Sequence, residues 1–223
     1  MIKSYLISIA LLFILSTFGY AQEIKVKFIG NCGLELTDGE STIYMDFPYK
    51  SGAHKYMEYD LSEIDSIREN ATFIFTHKHS DHFSNPILKK VLRTKKGESF
   101  GPWNINELSN CGKAISDFTI EAFKTKHLFT LKHYSYLITW HGKKLYFSGD
   151  TESADTFLKM IEIDAAFVPA WIISDLIEKD KIKESGEIAK QIIIYHIGPR
   201  DSINITGDKI RMLKTSGECF SIL

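Results

Sequence analysis

Apolar and polar positions alternate along much of the chain with the period of a β-strand. Residues 24–29 read apolar, polar, apolar and end at a glycine, which predicts a strand. An Asp38–Gly39 pair between two later runs predicts the turn of a hairpin. The same kinds of pattern predict strands at residues 33–36, 41–45, 71–75, 118–123, 133–139, 145–147, 165–168 and 192–195.

Helices are predicted between these strands. Asp60 or Ser62 can cap a short helix that ends near Arg68, and Pro86 stands at a favourable first-turn position of the next helix. Two more helices are predicted at residues 154–161 and 208–214. No linker, low-complexity tract or repeat divides the chain, so we expect residues 22–223 to form one α+β domain.

The first 21 residues have the pattern of a signal peptide. A basic start at Lys3 precedes an apolar run, and small residues at Gly19 and Ala21 precede polar sequence. The run is short for a membrane span, so we expect cleavage after Ala21 and a secreted or periplasmic protein without a stable membrane anchor. The net charge of −1 offers no general attraction to nucleic acid. We therefore expect a small-molecule substrate and no nucleic-acid partner, and the oligomeric state stays open.

The three cysteines, Cys32, Cys111 and Cys219, are too few and too widely spaced for a disulfide framework. One bridge could form in an oxidising compartment, but the sequence does not select a pair. We expect each cysteine to be a small buried residue.

The densest chemistry lies in the run from His77 to His82, which reads His-Lys-His-Ser-Asp-His. Four side chains that bind divalent metals fall within these six residues, directly after the predicted strand at 71–75. Imidazole nitrogen and carboxylate oxygen suit zinc, and also iron or manganese. A loop at a strand end can aim alternate side chains at one ion and the others at a neighbouring ion. The run therefore predicts a metal site.

This run resembles the signature of the metallo-β-lactamase-fold superfamily. The later motifs of that family follow in order, with Asp46 after an early strand, His127 at a strand end, Asp150 in a Ser-Gly-Asp-Thr segment and His196 after a late strand. The resemblance implies a four-layer αββα sandwich, in which two mixed β-sheets pack face to face with helices outside. It also implies that the site lies at one edge of the sandwich.

The resemblance implies two zinc ions per chain, with manganese or iron as alternatives. The implied metal ligands are His77, His79 and His127 for one ion, Asp81, His82 and His196 for the other, and Asp150 as the bridge between them. Asp81 and Asp150 are the expected catalytic residues, because a water bridging two such ions becomes hydroxide near neutral pH. Asp46 is expected to orient a ligand without touching metal. His133 is a rival to His127 for the third position.

The implied activity is hydrolysis of an ester-like bond, which could be a phosphodiester, a lactone or another ester. Zinc β-lactamases of this family carry Cys or Ser where this chain has Asp150, so β-lactam hydrolysis is a less favoured alternative. An iron-dependent oxidoreductase of the same fold, of the sulfur dioxygenase or diiron type, is another, and a metal-binding protein without turnover is a weaker third option. Residues 28–36 and 44–48 are similar to the lactonase-like branch typified by ascorbate-phosphate lactonase, although Asn31 replaces the histidine common in that branch.

Four residues are candidates for substrate binding. Trp171 could form an apolar wall and Arg200 could hold a phosphate or carboxylate. Asn31 could still line the site, and His133 could line the pocket if it does not bind metal.

Overall fold

The computed structural model of the protein describes residues 22–52, 57–198, 205 and 207–222. The predicted signal peptide and the predicted substrate residue Arg200 lie outside these residues. Within them, no helix is both long and apolar enough to cross a membrane.

The strands of the described residues form two six-stranded sheets. In spatial order, the first sheet contains β12 (Cys219–Ile222), β1 (Ile24–Gly30), β2 (Gly33–Thr37), β3 (Thr42–Met45), β4 (Thr72–Ile74) and β5 (Glu98–Phe100). The second contains β11 (Ile210–Met212), β10 (Ala189–Tyr195), β9 (Ile163–Pro169), β8 (Lys143–Phe147), β7 (Thr130–Trp140) and β6 (Phe118–His127). Both sheets are mixed, because β3, β4 and β5 are parallel, as are β8 to β11, while the remaining pairs are antiparallel.

Helices cover the outer faces of both sheets. They are α1 (Ser62–Ser66), α2 (Asn85–Lys95), α3 (Ala170–Glu178) and α4 (Ile182–Ile188), with 3-10 turns at Ile105–Asn110 and Phe157–Lys159. Helix α2 begins with proline in its first turn, as predicted, and buries Leu88 and Val91. These two residues pack against Phe73 and Phe75 on the outer face of the first sheet.

Alternation along the strands decides which side chains lie between the sheets. Leu145 and Phe147 of β8 belong to the core between the sheets, whereas Tyr146 faces outward and packs with α3. Ile24, Val26 and Phe28 alternate in the same way along β1. The order of layers is therefore helix, sheet, sheet, helix, and the predicted four-layer sandwich is confirmed.

Two predicted helices are wrong. Residues 208–214 contain the strand β11, because Ile210 and Met212 flank Arg211 with strand periodicity and the segment pairs in parallel with β10. In the range 154–161 only the short 3-10 turn forms. The edge strands β5 and β12 escaped prediction because three or four residues carry too little pattern to identify a strand.

A buried hydrogen bond links the two sheets near the metal-binding run. The Tyr136 hydroxyl on β7 donates to the Phe75 carbonyl at 2.9 Å, whereas the equally buried hydroxyl of Tyr146 on β8 has no hydrogen-bond partner in the part of the chain that the structure describes.

We predict that Tyr136→Phe lowers the free energy of unfolding by about 1–2 kcal/mol, because it leaves the buried carbonyl of Phe75 without a hydrogen-bond donor. Tyr146→Phe is the matched control and should change stability little or raise it. Urea denaturation of both variants measures the difference, and equal losses would contradict this account.

Candidate metal centre

The predicted ligands leave the two sheets at one shared edge. Met45 of β3 pairs in parallel with Ile74 of β4, so Asp46 and the run after residue 74 leave their strands side by side. Parallel pairing of β8, β9 and β10 likewise brings the segments that carry Asp150 and His196 to one edge. The two edges adjoin, because the His196 backbone N–H donates to the carbonyl of Asn31 at 3.0 Å.

Three histidines form one group, which we call the three-histidine group: His77, His79 and His127. The His127 Nε2 lies 3.0 Å from the His79 Nδ1, and the rings of His77 and His127 are 4.8 Å apart. One ring nitrogen of each residue can reach a common point, since these atoms all lie within 4.8 Å of one another. The spacing suits a single metal ion.

The hydrogen bonds around His77 fix its tautomer. The Thr76 hydroxyl donates its only hydrogen to Asp46, so it accepts a hydrogen bond from the His77 Nδ1 at 3.0 Å. The Nε2 of His77 therefore carries a lone pair, and this buried atom has no hydrogen-bond partner among residues 22–52, 57–198, 205 and 207–222. Burial, helped by the neighbouring His82, lowers the pKa of His77 and keeps the ring neutral. A buried lone pair without a partner is what a metal ligand presents before its ion binds.

The second group, which we call the mixed group, contains Asp81, His82 and His196. The His196 Nε2 lies 3.4 Å from Asp81 Oδ2, and the His82 Nε2 lies 3.9 Å from the same oxygen. His82 is fully buried and His196 nearly so.

Asp150 lies between the two groups. Its Oδ1 is 3.2 Å from the His82 Nε2, while its Oδ2 is 3.4 Å from the His196 Nε2 and 3.9 Å from the His127 Nε2. One carboxylate thus faces ligands of both predicted ions, which is the position that a bridging ligand requires.

Asp46 orients the ligands from behind, where it is almost fully buried. Its Oδ2 accepts hydrogen bonds from the His82 Nδ1 at 2.9 Å and the Thr76 hydroxyl at 2.7 Å, and its Oδ1 accepts from the Thr76 N–H at 2.7 Å. The bond to Nδ1 turns the His82 Nε2 toward Asp150. Carboxylates that hold a ligand histidine in this way are typical of metal sites.

The electrostatics of the centre call for positive charge. Burial opposes ionisation of Asp150, yet His196 and His82 outweigh it and hold the pKa of the carboxyl well below its usual range. Burial also opposes a charged His196, but Asp150 and Asp81 raise its pKa to about 9. The buried carboxylates are therefore ionised and need a cation, which protons on these histidines or a divalent metal can supply. The donor set of imidazole and carboxylate fits zinc, iron or manganese.

His133 lies beside the centre in a role that the sequence did not predict. Its Nε2 accepts the backbone N–H of Asp150 at 2.9 Å, so its Nδ1 carries the hydrogen and donates to Thr125 Oγ1 at 2.6 Å. Burial lowers the pKa of His133 to about 3, so the ring is neutral near pH 7. Both nitrogens are engaged and the side chain is fully buried. In the structure His133 positions Asp150, and its contact with a substrate stays a prediction.

Asn31 is also buried where substrate contact was predicted. Asn31 is 1% exposed and its Nδ2 donates to the Asp81 carbonyl at 2.9 Å, so it holds the metal-binding run. Trp171 is partly exposed, and its ring meets that of His196 edge-on at 5.1 Å. Its indole N–H donates to the Thr151 carbonyl at 2.9 Å, which fixes the ring. Contact of Asn31 or Trp171 with a substrate stays a prediction.

The backbone at this edge is held in an uncommon conformation. Asn31, Asp46, Gly149 and His196 all have φ between 46° and 55°, in the left-handed region. This region costs most residues about 1 kcal/mol or more, and it is tolerated best by Gly, Asn, Asp and His. Such residues collect at functional sites, where the surrounding structure holds them in place.

Cys32 is the residue that sequence analysis missed. Its sulfur lies 3.2 Å from the Nε2 and 3.3 Å from the Nδ1 of His82, and the side chain is fully buried. The expected burial is confirmed for Cys32 and Cys111 but is wrong for Cys219, which is exposed. The position of Cys32 beside the metal centre was not foreseen. No spacing rule in the sequence connects a cysteine after β1 with a histidine 50 residues later.

Comparison with known proteins gives the class of fold. No protein-family model matches the sequence, and no curated protein matches it. Among solved structures, YhfI, a metallo-β-lactamase-fold protein from Bacillus subtilis, matches with a TM-score of 0.63 at 16% identity, over 90% of this chain and 99% of YhfI. Igni18, a metallo hydrolase from Ignicoccus hospitalis, matches with a TM-score of 0.57 at 14% identity, over 89% and 98%.

A third match carries different chemistry. CmlA, a diiron β-hydroxylase from Streptomyces venezuelae, matches with a TM-score of 0.52 at 14% identity, over 79% of this chain and 45% of CmlA.

The chain therefore has the metallo-β-lactamase fold, as its own two-sheet architecture shows. The lactonase-like branch stays a prediction, because likeness at this identity establishes the fold alone.

We predict opposite effects of replacing the two competing histidines. His127→Ala should lower the metal content of the purified protein, since it removes a ligand. His133→Ala should retain metal but lower the free energy of unfolding by about 1–3 kcal/mol, because the Asp150 N–H loses its partner. Elemental analysis and urea denaturation of both variants measure this, and loss of metal from His133→Ala alone would reverse the assignment.

We predict that Gly149 cannot carry a side chain. An added Cβ would lie 2.7 Å from the His133 Nε2 and 2.8 Å from the Thr76 Cβ. Gly149→Ala should therefore cost more than about 2 kcal/mol and displace Asp150, with loss of metal. Gly142→Ala is the matched control, because Gly142 also has positive φ but nothing lies within 4 Å of its added Cβ. It should cost about 1 kcal/mol and retain metal. Equal effects would refute the steric argument.

Proposed function

We propose that the protein is a metal-dependent hydrolase that holds two divalent ions, with zinc as the favoured metal, and cleaves an ester-like bond. The observation that supports this most directly is the position of Asp150, whose two carboxylate oxygens face His127 of the three-histidine group and His82 and His196 of the mixed group. Two complete ligand groups around a shared carboxylate fit a site that binds and activates water.

The residues of the chain prepare this chemistry. When bound, two divalent ions would lower the pKa of a water molecule and polarise the bond under attack. The Thr76 hydroxyl orients His77 with a lone pair on its Nε2, and Asp46 turns the Nε2 of His82 toward Asp150. His133 fixes the backbone of Asp150 through an uncharged hydrogen bond, so the carboxylate keeps its place between the groups.

The same residues constrain the alternatives. Iron would also accept this donor set, and CmlA shows that the fold can house a diiron hydroxylase. A mononuclear iron oxygenase would have no need of the mixed group, whose buried His82 is held in place by Asp46. The complete mixed group therefore favours a two-metal hydrolase over mononuclear redox chemistry. The proposal favours ester-like substrates over β-lactams because this chain has Asp150 at the position where zinc β-lactamases have Cys or Ser.

Metal analysis combined with a substrate panel tests the proposal. The purified protein should contain about two divalent ions per chain, lose activity to a chelator and regain it with zinc. The panel contains chromogenic phosphodiesters, lactones, thioesters and a cephalosporin. Hydrolysis of any of the esters supports the proposal. Redox-active iron with oxygen uptake would refute the hydrolase proposal, and turnover of the cephalosporin alone would overturn the preference for esters.

We predict that Asp150→Asn abolishes turnover and weakens metal binding, since a neutral amide cannot balance two ions. Asp164→Asn is the matched control, because Asp164 is also buried but bonds the Lys144 N–H and Lys190, away from the metal centre. It should retain metal and activity. Rates and metal contents of both purified variants decide the matter, and full activity of Asp150→Asn would refute the bridging role.

A further inference from the structure

Cys32 belongs spatially to the metal centre. It lies in the turn between β1 and β2, and its sulfur, with one ligand atom each from His82, Asp150 and His196, forms a set in which all atoms lie within 4.8 Å of one another. All four residues are buried. This set overlaps the mixed group and adds a donor of a different chemical kind to it.

A second observation fits a cation in this set. Among the described residues, the buried Nε2 of His196 has no hydrogen-bond partner, although the carboxylates of Asp81 and Asp150 lie 3.4 Å away. The His196 side chain is 11% exposed, so little water reaches this nitrogen. A cation among these atoms would satisfy the His196 nitrogen and both carboxylates together.

Burial and the carboxylates of Asp150 and Asp46 raise the pKa of the Cys32 thiol, so an ion is needed to convert it to a thiolate, and one amide contact favours that change. The Asn31 Nδ2 donates to Cys32 Sγ at 3.1 Å, and the same amide holds the Asp81 carbonyl at 2.9 Å. A donor directed at sulfur stabilises a thiolate more than a thiol. The sulfur is almost equally distant from both nitrogens of His82, so it does not lie on the axis of a single in-plane N–H···S bond.

We propose that Cys32 is a thiolate ligand of the ion held by His82, His196 and Asp150, beside Asp81. The ion displaces the thiol proton, which leaves to solvent, and one metal–sulfur bond forms without any change of oxidation state. The inference rests on the metal of the proposed function but not on hydrolysis. Because thiolates favour zinc, cobalt and iron over magnesium and manganese, Cys32 would make this position selective for the former.

Cobalt substitution tests the proposal on the full protein. A Co²⁺–thiolate bond gives a charge-transfer absorption in the near ultraviolet that imidazole and carboxylate ligands do not give. The protein with two cobalt ions should show this band, and Cys32→Ser should lose it. Cys111→Ser and Cys219→Ser are the matched controls and should retain it, because Cys111 is buried in the core and Cys219 is exposed.

Metal affinity provides a second readout. Cys32→Ser should weaken binding of the second cobalt ion by more than about tenfold, because even residues that only orient a ligand contribute 10–100-fold. If Cys32→Ser does not fold, the spectra of Cys32→Ala and of the wild type still show whether Cys32 binds the ion. A wild type that binds cobalt without the band, or a band that survives in Cys32→Ser, would overturn the proposal.

The outcomes separate this inference from the proposed function. A Cys32-dependent band in a protein that hydrolyses nothing on the panel would uphold the thiolate ligand and refute the hydrolase. Zinc-dependent hydrolysis by a protein whose cobalt form lacks the band would support the hydrolase and refute the thiolate ligand.

Discussion

The buried carboxylate of Asp150 is the constraint around which this edge of the protein is organised. A buried charge costs several kcal/mol unless opposite charges and hydrogen bonds compensate it. The Asp150 backbone N–H donates to His133, and the Asp150 carboxylate oxygens face His82 and His196. Gly149, which precedes Asp150, has no side chain that would collide with His133 or Thr76. None of these neighbours can change alone without leaving a buried polar group unsatisfied.

The arrangement extends outward through hydrogen bonds that each serve two purposes. Asp46 fixes His82 through one oxygen and, through the hydroxyl of Thr76, also fixes His77. Asp46 thereby connects one ligand of each predicted ion. This coupling explains why Asp46 is almost fully buried and yet retains strained backbone geometry at positive φ.

The sequence predicted the parts of this centre that carry a local signal. The run from His77 to His82 is recognisable because four metal-binding side chains follow one strand, and Asp46, Asp150 and His196 each follow a strand of clear pattern. The four-layer fold followed from the resemblance and not from periodicity. Strand β11 was mistaken for a helix, because pairing with β10, which three residues cannot reveal, decides its conformation.

The roles of His133 and Cys32 could not be predicted for a different reason. Both depend on contacts between distant segments, such as the hydrogen bond from Asp150 to His133 and the approach of Cys32 to His82. Composition assigns a cysteine to the core, and the core does border Cys32 on one side. Only the registers of the strands show that its other side faces the metal centre.

The two sheets contribute unequal but complementary shares of the ligands. Segments after strands of the first sheet carry His77, His79, Asp81 and His82, whereas His127, Asp150 and His196 lie at strand ends of the second sheet. Each predicted ion would therefore bind both sheets and connect them at the edge where their backbones already meet. Ions that bind only the folded state stabilise it in proportion to their binding free energy. Stability and metal content should thus be coupled, because the residues that would hold the ions also close this edge of the sandwich.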